Sequence, residues 1–359
     1  MSNLSRRSAI KTTLLAGLGA GLARTQVANG TSAATDNFRI ATWGGSWKDS
    51  VVKNIMSNVD PHEPAPEYVL GNPNDNLAKL IAAHRSGQVP FDVMECDPDQ
   101  TPLLNKSGLF AALDYAKLPN AAGMPAWARA KFLVSTLATE DGVVYNVEKF
   151  KGAGIPPPRS YGDLKDKRLA GKVAFPDISN PQHWNAVVGL AMEGGGSESN
   201  LTPAIALVNE IKPTYLFSAS TDLATRFGSG DVWAAAWHVG WAVRLKRSGV
   251  PVGMAYPHFG TKVGALYVIS IGMIEGTPRT GESYAFINEY LAPAAQAAHG
   301  TATGCLPLVP SAREDLAKNP INHELMLLGN DQVSNMFQID WTKLDVRKWR
   351  EEWNRGISR

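Results

Sequence analysis

From Phe38 onward, short apolar runs alternate with amphipathic stretches, the pattern of an α/β protein with largely parallel sheets. Phe38-Arg39-Ile40-Ala41-Thr42 predicts a first strand, and Ser46-Trp47-Lys48-Asp49 directly after it reads as a capping box opening a helix. Trp47, Val51, Ile55 and Val59 recur at four-residue spacing as the apolar stripe of that helix. Tyr68-Val69-Leu70 then leads through Gly71-Asn72-Pro73-Asn74 into a helix carrying Leu77, Leu80 and Ile81. A third strand, Phe91-Asp92-Val93-Met94-Glu95, runs into Cys96-Asp97-Pro98-Asp99, with Thr101 as the next cap and Pro102 as first helical residue.

These strand-loop-helix units predict one three-layer lobe, and a second opens after Gly142-Val143-Val144-Tyr145-Asn146. Within it, Ile155-Pro156-Pro157-Pro158 is a stiff loop, Val173-Ala174-Phe175 a strand, and Asp231 to Trp237 a buried strand running into His238-Val239-Gly240-Trp241. Gly194-Gly195-Gly196-Ser197 reads as a turn after a helix, and no internal repeat is visible. The loops at strand carboxyl ends, Trp43-Gly44-Gly45 first among them, are where open α/β sheets bind ligands.

The first 34 residues change the picture. A polar start with Arg6 and Arg7, an apolar run from Leu14 to Ala23 and small residues at Ser32-Ala33-Ala34 predict a secretory signal peptide, too short for a membrane span, cleaved after Ala34. Ser5-Arg6-Arg7-Ser8-Ala9 resembles the twin-arginine signal, although Ala9 replaces the usual bulky residue and a Sec signal stays open. Four of the 35 bases lie in this leader, leaving 31 against 33 acids. A nearly neutral mature chain argues against a nucleic-acid partner, and no later apolar stretch is long enough for stable membrane insertion. Roughly 325 mature residues predict two domains. Cys96 and Cys305, the two cysteines of the chain, exclude a cysteine-rich zinc site. They pair if the fold brings their Cα atoms within about 7 Å, and otherwise stay isolated buried thiols.

The order of motifs resembles the extracellular solute-binding proteins of ABC importers, in the branch of spermidine/putrescine receptors. Thr42-Trp43-Gly44-Gly45, Pro90-Phe91-Asp92-Val93, Ser107 to Asp114, Val144-Tyr145-Asn146, Pro158 to Leu164, Leu169 to Ala174, Gly230 to Trp233 with Trp237, and Leu306-Pro307-Leu308-Val309-Pro310 carry the resemblance. It implies a two-lobed α/β fold of the type II periplasmic-binding-protein kind, with the ligand in a cleft between lobes joined by hinge crossings. Crossings are expected near Asp141 to Asn146, Lys262 to Tyr267 and Thr303 to Val309. One lobe then holds 36–141 and 265–305, the other 142–264 and 306–359. The resemblance further implies a periplasmic, non-catalytic monomer that takes a small nitrogen-containing solute, needs no cofactor, and hands its ligand to an ABC permease.

Candidate ligand residues follow from the loops and from the resemblance. Trp43 could project into the cleft, with Gly44 letting a ligand approach the backbone, or it packs structurally. Ser46 is a helix cap that could also touch ligand. Asp97, and more weakly Asp99, could hold a ligand amine or serve in Asx turns. Ser179 and Asn180 precede a helix whose free N–H groups favour an anionic group, with simple capping as the alternative. Tyr145 matches the family's crossing motif. Trp237 resembles the family's ligand-stacking aromatic, where a face-on cation gains about 0.5 to 2 kcal/mol. His238 could contact ligand or be structural; Trp184, Trp233 and Trp241 default to core.

One departure matters. Where polyamine receptors carry an acidic-glycine pair and then a tryptophan and aspartate, this chain has His258-Phe259-Gly260 and Gly264-Ala265-Leu266-Tyr267. Tyr267 takes the place of an amine-binding acid, which disfavours a long diamine because a buried ammonium needs a carboxylate. Among rivals, a secreted hydrolase finds no G-x-S-x-G, H-E-x-x-H or P-loop here. A ferric-ion or other metal receptor of the same fold lacks a Tyr-Tyr pair, leaving Asp97, Asp99 and His238 as its candidates. A scaffold or adhesion protein would need no cleft-facing aromatics.

Overall fold

Chain order shows how the hydrophobic runs become a sheet. The computed structural model describes residues 37–59 and 64–358; the expected leader at 1–34 lies outside the described residues. The first three units are β1 (Arg39–Thr42), α1 (Gly45–Asn54), β2 (Glu67–Leu70), α2 (Pro73–Arg85), β3 (Val93–Cys96) and α3 (Thr101–Ser107). β1 pairs in parallel with both β2 and β3, burying Ile40, Ala41, Val93 and Met94 completely. β4 (Val134–Asn146) follows, and then α4 (Val147–Gly152), β5 (Val173–Pro176), α5 (His183–Glu193), α6 (Thr202–Ile211) and β6 (Tyr215–Phe217). Next come α7 (Ser220–Ser229), β7 (Ala234–His238), α8 (Val239–Arg247), β8 (Val252–Ala255) and the small hairpin β9 (His258–Phe259) and β10 (Lys262–Val263). The chain closes with β11 (Ala265–Met273), α9 (Thr280–Tyr290), α10 (Pro293–Thr303), β12 (Leu306–Pro307), α11 (Pro310–Ala317), α12 (Pro320–Leu325), α13 (Asn330–Ser334) and α14 (Val346–Gly356).

The main sheet runs β2-β1-β3-β11-β4-β7-β5-β6, with β8 and β12 also paired to β4. Its ends are parallel and its centre antiparallel. β4 is the shared element. From Val134 to Asp141 it pairs β11, and Leu137 and Ala138 also face β12; from Asp141 to Asn146 it pairs β7 and β8. The changeover falls at Asp141, opposite Ala265 on one side and His238 on the other. The last helix is anchored by Trp349 and Trp353, the latter stacked 6.0 Å from Phe175.

Two predicted caps are corrected. α1 opens at Gly45 after the N-cap Gly44 and has no side-chain cap, so Ser46 sits inside the first turn, past the position from which a hydroxyl can close a capping box. Likewise Thr101 is the first residue of α3 rather than its cap, because a 3-10 turn over Pro98–Gln100 already carries the chain in from Asp97. Cys96 and Cys305 are both buried free thiols, not a bridge.

The changeover leaves no room for a side chain at Gly142, where a Cβ would lie 2.3 Å from the Ala255 carbonyl oxygen. Gly142→Ala is expected to lower unfolding free energy by about 1–3 kcal/mol, from the overpacking of a well-filled interior. Gly281→Ala, on α9 with nothing within 4 Å of the new methyl, should be neutral or stabilising. Urea midpoints of the two variants check this, and equal midpoints would refute it.

Candidate functional site

The residues that follow β1, β3, β5, β6 and β7 line one cavity of about 360 Å³, within the usual range for small-ligand sites. Trp43, Gly44 and Ser46 come from the first of these junctions and Asp97 from the second. Asn180, Pro181 and Gln182 come from the third, Ser218 and Ser220 from the fourth, and His238 ends β7. Tyr267 and Ile269 of β11, Thr139 of β4, Trp241 and Arg244 of α8, Trp47 of α1, and Cys305 complete the wall. Leu266, Val268 and Ser270 of β11 face the other way, into a smaller cavity of about 260 Å³ beside Trp127 and Trp341. Among the described residues the one ionisable group lining that second cavity, Asp340, is already paired with Lys343 at 3.0 Å.

Of the residues singled out in the sequence, Trp43, Gly44, Ser46, Asp97, Asn180, His238 and Tyr267 come together here. Tyr145, Ser179 and Trp237 do not. Tyr145 packs its ring 5.0 Å from Phe150 and against Gly253. Ser179 is exposed and donates its hydroxyl to Asp177 Oδ1 at 2.7 Å. Trp237 is 2% exposed: neighbouring residues of a strand face opposite ways, so with His238 at the cavity Trp237 enters the core beside Phe217 and Phe227. Its indole donates to Ser220 Oγ at 3.1 Å and stacks 5.4 Å from Trp241, which presents the ring to the cavity in its stead. Trp241, assigned to the core from the sequence, is thereby corrected to the cavity wall, and Arg244 had no distinguishing signal, since spacing alone does not show which face of α8 meets the cavity.

Trp47 is fixed from behind. Its indole donates to Glu95 Oε2 at 3.0 Å, and the same carboxylate accepts from Thr42 and, at 2.6 Å, from Tyr290. Trp43 then packs edge-on to Trp47 at 5.1 Å.

Residues 67–324 match the family of bacterial extracellular solute-binding proteins. The chain belongs to that family. No curated protein matches it. Among solved structures, an ABC transporter protein from Clostridium perfringens ATCC 13124 is 23% identical, with 90% of this chain and 100% of that one covered at a TM-score of 0.71. A PBP from A. tumefaciens B6 in complex with glucopine is 18% identical over 89% and 97% of the two chains, TM-score 0.66. A protein described as a GABA receptor is 19% identical over 89% and 95%, TM-score 0.70. At these identities the likeness shows a shared fold, that of ABC-transporter solute-binding proteins.

The charges of this solute-binding protein's cavity are held in an unusual state. Burial, then the neighbouring Asp99 charge, pushes Asp97 up to about 8. The Tyr267 hydroxyl tempers that rise without reaching full hydrogen-bond geometry, and Asp97 Oδ2 and Tyr267 Oη are both buried without a partner. Burial drives His238 down to about 3, so its ring is neutral, with Nδ1 also unpartnered. Burial lowers Arg244 too, yet a guanidinium keeps its charge. Behind the wall, burial raises Asp141 to about 7 although Asn185 and Thr139 donate to it at 2.8 and 3.0 Å. Among the described residues no three His, Cys, Asp or Glu side chains are placed to hold a metal ion, so Asp97, Asp99 and His238 do not form one.

The raised Asp97 has a direct consequence for stability. Its folded-state value of about 8 exceeds the ordinary 3.8, so between the two the ligand-free native state holds a proton that the unfolded chain has lost, and stability falls as pH rises through that window. Asp97→Asn removes this slope. Chemical denaturation at pH 5 and pH 8 should show the variant gaining on the wild type by on the order of a few kcal/mol across the window. Parallel pH profiles for the two proteins would show that the carboxyl is not desolvated.

Proposed function

We propose that this protein is the receptor of an ABC importer, capturing a small nitrogen-bearing organic solute and delivering it to a membrane permease. One observation carries the reading: residues after β1 and β3, from one parallel end of the sheet, and after β5, β6 and β7, from the other, line the same cavity. A solute there touches both sides at once, and contacts made only when they approach stabilise a closed form that a permease can recognise. The lobes are 36–141 with 265–305 and 142–264 with 306–359, moving about β4, β11 and β12. The family is extracellular, and the leader read from the sequence directs the chain to the periplasm.

Among the described residues Asp97 is the single carboxylate on the wall, and it supports a solute with one ammonium. A spermidine- or putrescine-like diamine would need a second acid where Tyr267 stands. The neighbours that hold glucopine or are described as a GABA receptor favour small organic solutes of this kind. Hydrolysis in this cavity is disfavoured, because among the described residues His238 Nδ1 on its wall bonds to no hydroxyl or thiol, so this histidine activates no nucleophile there.

A thermal-shift screen of amines, amino acids, betaines and opines tests the proposal: a ligand at about 100 times its Kd adds about 2.7 kcal/mol of stability. Trp43→Ala should weaken that ligand roughly 3- to 30-fold and reduce the fluorescence change on binding. Turnover of a soluble substrate with no ligand raising the melting temperature would overturn it.

A further inference from the structure

Among the described residues one guanidinium and one carboxyl, Arg244 and Asp97, line the cavity, and neither is in an ion pair. Arg244 stacks 4.7 Å over Trp241 and donates from Nη2 to the Thr303 carbonyl at 3.0 Å, but among the described residues no carboxylate pairs with it. Asp97, 2% exposed, has Oδ2 unpartnered. A half-buried guanidinium with no carboxylate partner and a buried carboxyl with an open oxygen, facing one cavity, make sense where a ligand supplies the partners.

The backbone adds to the positive end. α1, α7 and α8 begin at this cavity without a side-chain cap hydrogen bond, so their first N–H groups have no side-chain acceptor; α5 begins here too, but its first N–H already donates to the Asn180 carbonyl at 3.0 Å. Each such terminus carries about half a positive charge. With Arg244 charged, His238 neutral and Asp97 protonated, the empty cavity is a positive field with one acid poised to ionise. A diamine meets that field with the wrong sign, and a diacid leaves Asp97 unused.

We infer that the cavity takes a zwitterion, an amino acid or close derivative, whose carboxylate goes to Arg244 and the open helix starts and whose ammonium goes to Asp97. This rests on the receptor reading above and narrows it. The ammonium keeps its own protons; the Asp97 O–H proton leaves for solvent as the ion pair forms, and no other bond is made or broken. Asp97 is faced by Glu95 and Cys96 of β3, Asp99 of the following turn and Tyr267 of β11, with His238, Arg244 and Cys305 sharing the cavity. None of these is a cation that could hold the carboxylate ionised except Arg244, which the ligand's own carboxylate engages.

The test is calorimetry of the full mature chain with matched four-carbon probes, namely 4-aminobutanoate, 1,4-diaminobutane and butanedioate, plus amino acids of varied length, at pH 7 in buffers of different ionisation enthalpy. Some amino acid should bind at least about 30-fold tighter than the diamine and the diacid, releasing about one proton per ligand. Asp97→Asn should weaken it at least about 30-fold and abolish the proton release; Arg244→Gln should weaken it comparably and leave the release intact. Melting temperatures of the ligand-free variants show that both are folded. Tighter binding of the diamine or diacid, no binding by any amino acid, or binding indifferent to Arg244→Gln overturns the zwitterion. A tightly bound diamine would leave the receptor for nitrogen-bearing solutes standing, whereas a neutral sugar or a metal ion binding in place of every amine would remove that reading too.

Discussion

Buried backbone must find partners along its whole length, and β4 meets that demand with two different sets of neighbours. Its first residues are held by β11 and β12, its last by β7 and β8, with the change at Asp141. Because this strand and β11 run antiparallel between two parallel ends, the chain cannot form one continuous doubly wound sheet. The carboxyl ends of β1 and β3 and those of β5, β6 and β7 instead converge on a common space. The tight fit at Gly142 is the local cost of bringing β8 against β4 at that point. The cavity, the helix starts around it and the lone acid and base on its wall all follow from this handover.

β1, β2, β3, β5 and β7 are legible because they are plain apolar runs bounded by turn residues, whereas the three-residue edge strand β6 is too short to stand out. β4 was legible only at its end, from Gly142 to Asn146, because Thr136, Thr139, Glu140 and Asp141 interrupt the apolar pattern of a strand that is nonetheless buried. Those groups are tolerated through partners distant in sequence: Glu140 accepts from Tyr256 and from the Leu327 backbone N–H at 3.1 Å, and Asp141 from Asn185. No local rule anticipates such pairs. The capping box at Ser46 failed for a different reason, a helix that starts two residues early on Gly45, where a positive φ of 61° suits glycine.

Site residues divide along the same line. Trp43, Asp97, Asn180 and His238 stand at strand ends, which is where the rule for open α/β sheets looks for them. Naming both Trp237 and His238 conflicted with strand alternation, and the alternation prevails. Arg244 and Trp241 lie inside a helix, and their contribution depends on which face of α8 meets the cavity, a matter of packing rather than of spacing.

What distinguishes this cavity from a generic apolar pocket is that one wall is rigid and its charges are unresolved. The chain of hydrogen bonds from Trp47 through Glu95 and Tyr290 to His299, and on to Ser50 at 2.7 Å, holds the indole in one orientation, and Trp43 rests on it. A wall fixed in this way loses little side-chain entropy when a ligand arrives, which in the proposed receptor would leave binding free energy for drawing the other side inward. The unpartnered Asp97 Oδ2, Tyr267 Oη and His238 Nδ1 come from both ends of the sheet, and each gains most when the space between them is filled by a polar guest. For the receptor proposed above, closure would then draw more on the relief of unsatisfied polar groups than on the burial of apolar area, tying affinity to the ligand's charges and making an apolar molecule of the same size a poor substitute.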